Sequence, residues 1–242
     1  MTTQDGIDRF CEYFSGQIEA IRNLHIKRDE NRDPAQYQIR FYRKVLLINA
    51  VDTLASIRFS KDRYPQLHKR NRERFIRFIQ DGKCWTPGEY VSIPFLSERQ
   101  TRGEIGPGRL CDLIDEKLAK IDPDAGGSIE FSEIDEPLGA LIKLASSELE
   151  AKALRDCQHY NLLYRYRNYL VHGSREPGTS MEISPERTVP YYHGYVYESK
   201  LFLAYPEFMF MKLLENAINY IRQYLLSNSL NPYDFVEETS RW

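Results

Sequence analysis

The chain has 242 residues, 42% of them hydrophobic, which suits one large domain with a sizeable core. Its formal net charge of −2 excludes a protein that coats nucleic acid nonspecifically, because that affinity scales with the phosphates neutralised; a small local basic site stays compatible with it. Four cysteines, Cys11, Cys84, Cys111 and Cys157, follow no metal-ligand or redox spacing, so the sequence predicts reduced thiols in a cytoplasm and no metal or cofactor.

The amino terminus, MTTQDGIDRFCEYF, shows no basic region followed by an apolar run, and the longest apolar stretch, Val45 to Ala55, is interrupted by Asn49 and Asp52. Neither secretion nor a membrane span is expected. From Asp5 to about Asp29, Ile7, Phe10, Phe14, Ile18, Ile21 and Leu24 recur three or four apart, the period of an amphipathic helix, until RDENRDP breaks it. Ala35 to about Ser60 predicts a second helix, apolar around most of its circumference and therefore central in a bundle. A shorter helix, His68 to Gln80, sets Phe75, Ile76 and Ile79 against a dense positive flank.

Residues 81–108 hold several Gly and Pro and no sustained period, which reads as an irregular surface excursion. A helix resumes over Arg109 to Ile121, and the acidic, turn-rich segment 122–137 forms a second irregular insertion. Beyond Pro137 the sequence predicts one long helix from about Leu138 to Val171, stopped by Gly173. YYHGYVYESKLFLAY, within 190–205, has the aromatic and β-branched content of a hairpin. Pro206 then opens the last helix, with Phe210, Leu214, Ala217, Ile218, Ile221 and Leu225 on one face. The expectation is a single, mainly α domain over 1–242: a helical bundle with irregular insertions and a small β-hairpin before the last helix.

Chemistry concentrates in YRYRNYLVHG, residues 164–173. Leu163, Tyr166 and Leu170 stack at spacings of three and four as a core face, which leaves Arg167, Asn168 and His172 over. Asn168 and His172 share a side, whereas Arg167 and His172 stand roughly 140° apart on an ideal helix. Convergence on one cleft therefore needs the length of the arginine and a last turn loosened by Gly173. Two readings stay open: cations complementing the negative end of the helix dipole, or three parts of a site.

RNYLVH resembles the signature of the HEPN superfamily, an Arg (Arg167), a polar residue (Asn168), three further residues and a His (His172) at the end of a long bundle helix. The resemblance covers mainly the helix from about Leu149 to His172 and the bundle around it. It implies a HEPN-like bundle that forms a homodimer with its motifs facing each other and, as in RNase-like members, a metal-independent endoribonuclease that cuts unpaired RNA. On that reading His172 takes the proton of a ribose 2′-hydroxyl, since a neutral imidazole is available near physiological pH. Arg167 forks onto phosphate oxygens and stabilises the charge of a pentacoordinate phosphorus. Asn168 orients either group, and the histidine of the second copy protonates the leaving 5′-oxygen. The resemblance also suggests a toxin or antiphage effector held by an antitoxin or other inhibitory partner. A noncatalytic HEPN-like binding or assembly module is the alternative. Some members carry a Tyr two residues beyond the His; here Ser174 stands there, so the likeness does not extend to tyrosine nucleotidylation.

Asn49, Asp52 and Ser56 form one polar stripe on the second helix. A carboxylate there needs a partner, and HEPN proteins often set an acidic residue of an earlier helix near the motif, which makes Asp52 the candidate; pairing with another Arg or a loop is the alternative. Arg70, Arg72 and Arg74, with Arg165, are the candidate contacts to an RNA backbone, against the reading of a solvated basic face. Residues 122–133, DPDAGGSIEFSE, resemble a calcium-binding loop through Asp122, Asp124, Gly127, Ile129 and Glu133, but Gly126 takes a liganding place, and a turn-rich surface loop is expected. His159 and His193 have no partner at metal or triad spacing and read as structural.

Overall fold

A computed structural model describes residues 2–25, 36–121, 127–177, 182–195 and 200–236. In chain order the elements are helices α1 (Thr3–Arg22), α2 (Gln36–Arg58) and α3 (Asn71–Asp81), strand β1 (Tyr90–Val91), helices α4 (Ile93–Thr101) and α5 (Arg109–Ala119), strand β2 (Ser128–Glu130), helix α6 (Phe131–Ile134), strand β3 (Glu136–Pro137), helices α7 (Leu138–Leu141), α8 (Glu148–Asp156) and α9 (His159–His172), strands β4 (Tyr191–Tyr195) and β5 (Lys200–Ala204), and helices α10 (Glu207–Ser227) and α11 (Tyr233–Val236). The protein is mainly helical with a small hairpin, and none of the described helices is long and apolar enough to cross a membrane. Its chain divides into two compact units: one holds residues 1–85, 170–175 and 207–242, the other 86–169 and 176–206.

In the first unit α2 packs on α10, with α1 against both and α3 against α2. Helix α1 starts where Thr2 and Asp5 cap each other, Thr2 Oγ1 accepting from the Asp5 amide at 3.1 Å and Asp5 Oδ2 from the Thr2 amide at 2.9 Å. Its predicted stripe, Ile7, Phe10, Phe14, Ile18 and Ile21, is buried. Arg43 of α2 ties off the other end by donating to the carbonyls of Arg22 (2.8 Å) and Leu24 (3.1 Å) while pairing with buried Glu207 at 3.0 Å. Those carbonyls have no partner within their own helix, so a cation is well placed there. Arg58, at the end of α2, donates to the hydroxyls of Tyr64 (2.6 Å) and Tyr220 (3.1 Å) and lies 3.8 Å from the centre of the Tyr224 ring.

The second unit contains more regular structure than its composition predicts. Residues 81–108 were expected to be irregular, yet α4 lies inside them. Ser92 is its N-cap, accepting from the Phe95 amide at 3.3 Å, and Pro94 sits in its first turn. Inside 122–137, β2 adds a third antiparallel strand to the predicted hairpin, in the order β2-β4-β5, with Ile129 opposite Tyr192 and Tyr192 opposite Leu203. Residues 122–126 lie outside the described ones, so the calcium-loop likeness meets the structure only in its second half. There Glu133 accepts from the Glu130 amide at 2.8 Å, and Ile129 pairs in the sheet.

The long helix expected over 138–171 is three helices. Ser147 caps α8 by accepting from the Glu150 amide at 3.2 Å, and Glu150 accepts in return from the Ser146 amide at 2.6 Å. Between α8 and α9 the backbone turns away to pair with another segment: the Cys157 carbonyl accepts from the Ser92 amide at 3.0 Å, and Gln158 bridges to Val91. Tertiary hydrogen bonds there replace the helical ones the pattern implied. The apolar core of this unit gathers Val91, Ile93, Leu96, Ile114, Leu154 and Tyr192.

Candidate functional site

Helix α9 presents the Arg-Asn-x3-His sequence. Leu163, Tyr166 and Leu170 are buried, as their spacing predicts, and they fix the roll of the helix. The next position round the helix departs from expectation. Arg167 is only 8% exposed, so it belongs with the buried set rather than outside it. Its Nη1 donates to Asn168 Oδ1 at 3.0 Å, and its guanidinium lies 5.9 Å from the centre of the Tyr164 ring. Asn168 is half-buried, and His172, the last helical residue, is exposed. The backbone takes the left-handed conformation at Ser174 (φ 49°), one residue beyond the glycine expected to stop the helix.

The structure thus brings Arg167 and Asn168 together and leaves His172 at an open helix end. The bond from Arg167 to the Asn168 amide oxygen holds the plane of the guanidinium, and the imidazole of His172 is accessible to solvent. Asp52 is half-buried on α2, in the first unit; Arg167 belongs to the second. Its stripe neighbour Ser56 is satisfied locally, its hydroxyl donating to the Asp52 carbonyl at 3.0 Å, so that part of the stripe needs no bundle partner.

At the start of α3 two of the basic residues bond locally. Arg70 is exposed and pairs with Glu73 at 3.2 Å, Arg72 is exposed, and Arg74 is half-buried and donates to Asn71 Oδ1 at 2.8 Å. Exposed pairs of this kind stabilise little. Arg165, on α9, is exposed and donates to the Asp156 carbonyl, closing the carboxyl end of α8.

A buried polar network in the second unit escaped the sequence reading. Fully buried His159 places Nε2 at 2.7 Å from Asp135 Oδ2 and Nδ1 at 3.0 Å from the Tyr205 hydroxyl. Asp135 also accepts from the Tyr192 hydroxyl at 2.8 Å and, on Oδ1, from the Ile93 amide at 3.0 Å. The Tyr192 oxygen lies 2.7 Å from Ser92 Oγ. Burial first, and the Asp135 charge next, push the Tyr192 and Tyr205 hydroxyls well above the ordinary phenol range, so both keep their protons. The Tyr192 proton therefore lies within reach of the Asp135 carboxylate and of Ser92 Oγ, while the Tyr205 hydroxyl and His159 Nδ1 share the hydrogen bond between them. A histidine joined to a carboxylate is a familiar acid–base pair, but no solvent reaches this one; it fastens β4, α4 and α9 around the Asp135 turn. Nothing in spacing links His159 to Asp135; the readable signal was the Ser92-x-Pro94 cap alone.

His193 is also buried; its burial lowers the imidazole below its ordinary range, and its ring stacks on Phe202 at 5.9 Å. Among the described residues no cluster of three or more His, Cys, Asp or Glu side chains is placed to hold a metal ion. The same unit carries an open cleft of about 470 Å³ between the outer face of α9, α4 and β5.

Comparison of the chain with protein-family models, with curated proteins and with solved structures gives no match. The site's own chemistry therefore carries the functional reading.

Proposed function

We propose that the protein is a HEPN-type, metal-independent endoribonuclease that cuts unpaired RNA through attack of the substrate's own 2′-oxygen. One observation carries this reading: an Arg-Asn pair joined at 3.0 Å stands one helical turn before an exposed, helix-terminal histidine. Arg167 supplies charge for the pentacoordinate phosphorus, Asn168 holds its plane, and His172 takes the 2′-proton. Asp52 is the acidic residue that would support the motif. Because Arg167 and His172 diverge around an ideal helix, the reading includes a homodimer whose second copy supplies the histidine that protonates the 5′-oxygen. A toxin or antiphage effector under an inhibitory partner fits such an activity, in a cytoplasm where RNA is the substrate.

The burial of Arg167 favours a second reading. A guanidinium that is 8% exposed can serve to tie the end of α9 in a noncatalytic binding or assembly module. Purified protein in chelator, given single-stranded RNA and its 2′-deoxy analogue, separates the two. The ribonuclease reading expects cleavage of RNA alone, leaving a 2′,3′-cyclic phosphate and a 5′-hydroxyl, with a duplex resisting because in-line attack needs a strand free to rotate. Equal cleavage of the 2′-deoxy strand, or full activity in His172→Ala protein, would sink it.

A further inference from the structure

The cleft beside α9 has a composition that the reading above does not use. Leu162, Arg165, Tyr166 and Tyr169 reach it from one side of the helix, at the i, i+3, i+4, i+7 spacing of a single stripe. Phe95 of α4, Phe202 of β5 and Tyr205 complete a lining in which five residues are aromatic. Several rings are held in place from behind: Phe202 stacks on His193 at 25° between planes, Tyr166 meets Tyr205 edge-on at 5.2 Å, and the Tyr166 hydroxyl donates to buried Glu176 at 2.6 Å. Tyr169 is 44% exposed and offers its ring at the mouth.

Charge in the lining comes from Arg165, Lys200 and Glu98, and Glu98 pairs with Lys200 at 2.8 Å. One positive charge is left in excess. Aromatic walls with a single surplus cation match one aromatic ring carrying one anionic group, and the volume falls in the ~300–1,000 Å³ range of sites that enclose one small molecule. A nucleotide of a single strand has that composition, and its base exposes both faces for stacking only when it is unpaired. Arg165 and Arg167 stand roughly 200° apart around an ideal helix, so the cleft lies on a different side of α9 from the motif's arginine and would hold a nucleotide other than the one being cut.

We propose that this cleft binds an unpaired RNA nucleotide, its base stacked against Tyr169 and Phe202 and its phosphate on Arg165. The inference rests on the ribonuclease reading for its choice of RNA, but its test does not depend on cleavage. A fluorescein-labelled, fully 2′-O-methylated oligouridylate cannot be cut through its own 2′-oxygen, so anisotropy reads binding alone. Tyr169→Ala is expected to weaken binding about tenfold, Tyr169→Phe to stay within about twofold of the natural protein, and an abasic strand of equal length to bind the natural protein as weakly as the intact strand binds Tyr169→Ala. Unchanged binding by Tyr169→Ala overturns the proposal, as does displacement of the strand by an acidic tyrosine-containing peptide that itself shows the Tyr169 dependence at far lower concentration. Natural protein that binds with the expected pattern yet cuts no RNA supports the cleft and overturns the ribonuclease reading. Protein that cuts RNA while Tyr169→Ala binds normally overturns the cleft alone.

Discussion

Replacing Asp135 by Ala distinguishes a fastener from acid–base machinery. Its carboxylate accepts from three buried donors: His159 Nε2 at 2.7 Å, the Tyr192 hydroxyl at 2.8 Å and the Ile93 amide at 3.0 Å. Tyr192 can turn its hydrogen to Ser92 Oγ, already 2.7 Å away, so two donors are stranded. An unsatisfied buried donor costs about 1–3 kcal/mol, so the expected loss is roughly 4 kcal/mol, before any term for the space vacated. Asp135→Asn keeps an acceptor for one donor and should cost about half as much. Urea titrations followed by far-UV circular dichroism measure the loss, and hydrogen exchange at the Ile93 and Phe95 amides shows whether it opens the start of α4. Chemistry should survive: at a temperature where the variant stays folded, RNA cleavage is expected within a few-fold of the natural protein. A transition moved by less than about 1 kcal/mol, or cleavage abolished in folded Asp135→Ala, would refute this reasoning.

The two motif variants should part company: His172→Ala, at an exposed position, is expected to leave stability within about 0.5 kcal/mol while lowering cleavage about a hundredfold or more, whereas Arg167→Ala should lower cleavage as much and also cost about 2 kcal/mol, measurable by the same urea titration. A verified heterodimer of natural and His172→Ala protein should retain well under half the activity of the natural dimer, because each cut draws on both histidines, and retention of half argues against a shared site. Burial pushes the thiols of Cys11 and Cys157 up to about 11 and Cys84 to about 12, so at pH 8 at most about one part in a thousand of each is thiolate; iodoacetamide should label half-buried Cys111 first, read by peptide mass, and the other three only after unfolding. Gly88→Ala would set a methyl group 2.0 Å from the Tyr160 ring, which its hydroxyl anchors to Glu89 at 3.0 Å, and is expected to cost about 1–3 kcal/mol in melting experiments; an unchanged melting temperature would mean the ring yields freely.

What the sequence by itself determined was local. The three-and-four spacing of Ile7 to Ile21 fixed α1 and its buried face, because an amphipathic helix needs no information from distant residues to choose its side. The aromatic run after Pro190 fixed the hairpin, and Leu163, Tyr166 and Leu170 fixed the roll of α9 and hence the order in which Arg167, Asn168 and His172 appear around it. Two caps are also written locally: Ser92 with Pro94, and Ser147 with Glu150. Tertiary structure decided the rest. The break at Cys157 arises because its carbonyl finds the Ser92 amide, 65 positions earlier in the sequence, and β2 becomes a strand only because β4 is beside it. Asp135, His159, Tyr192 and Tyr205 form one network although no spacing connects them, and Arg167 is buried although its charge and helix position predict the opposite. Such pairings depend on which surfaces meet, and a buried polar group is tolerated only where the fold brings its partners, a condition that periodicity along one element does not encode.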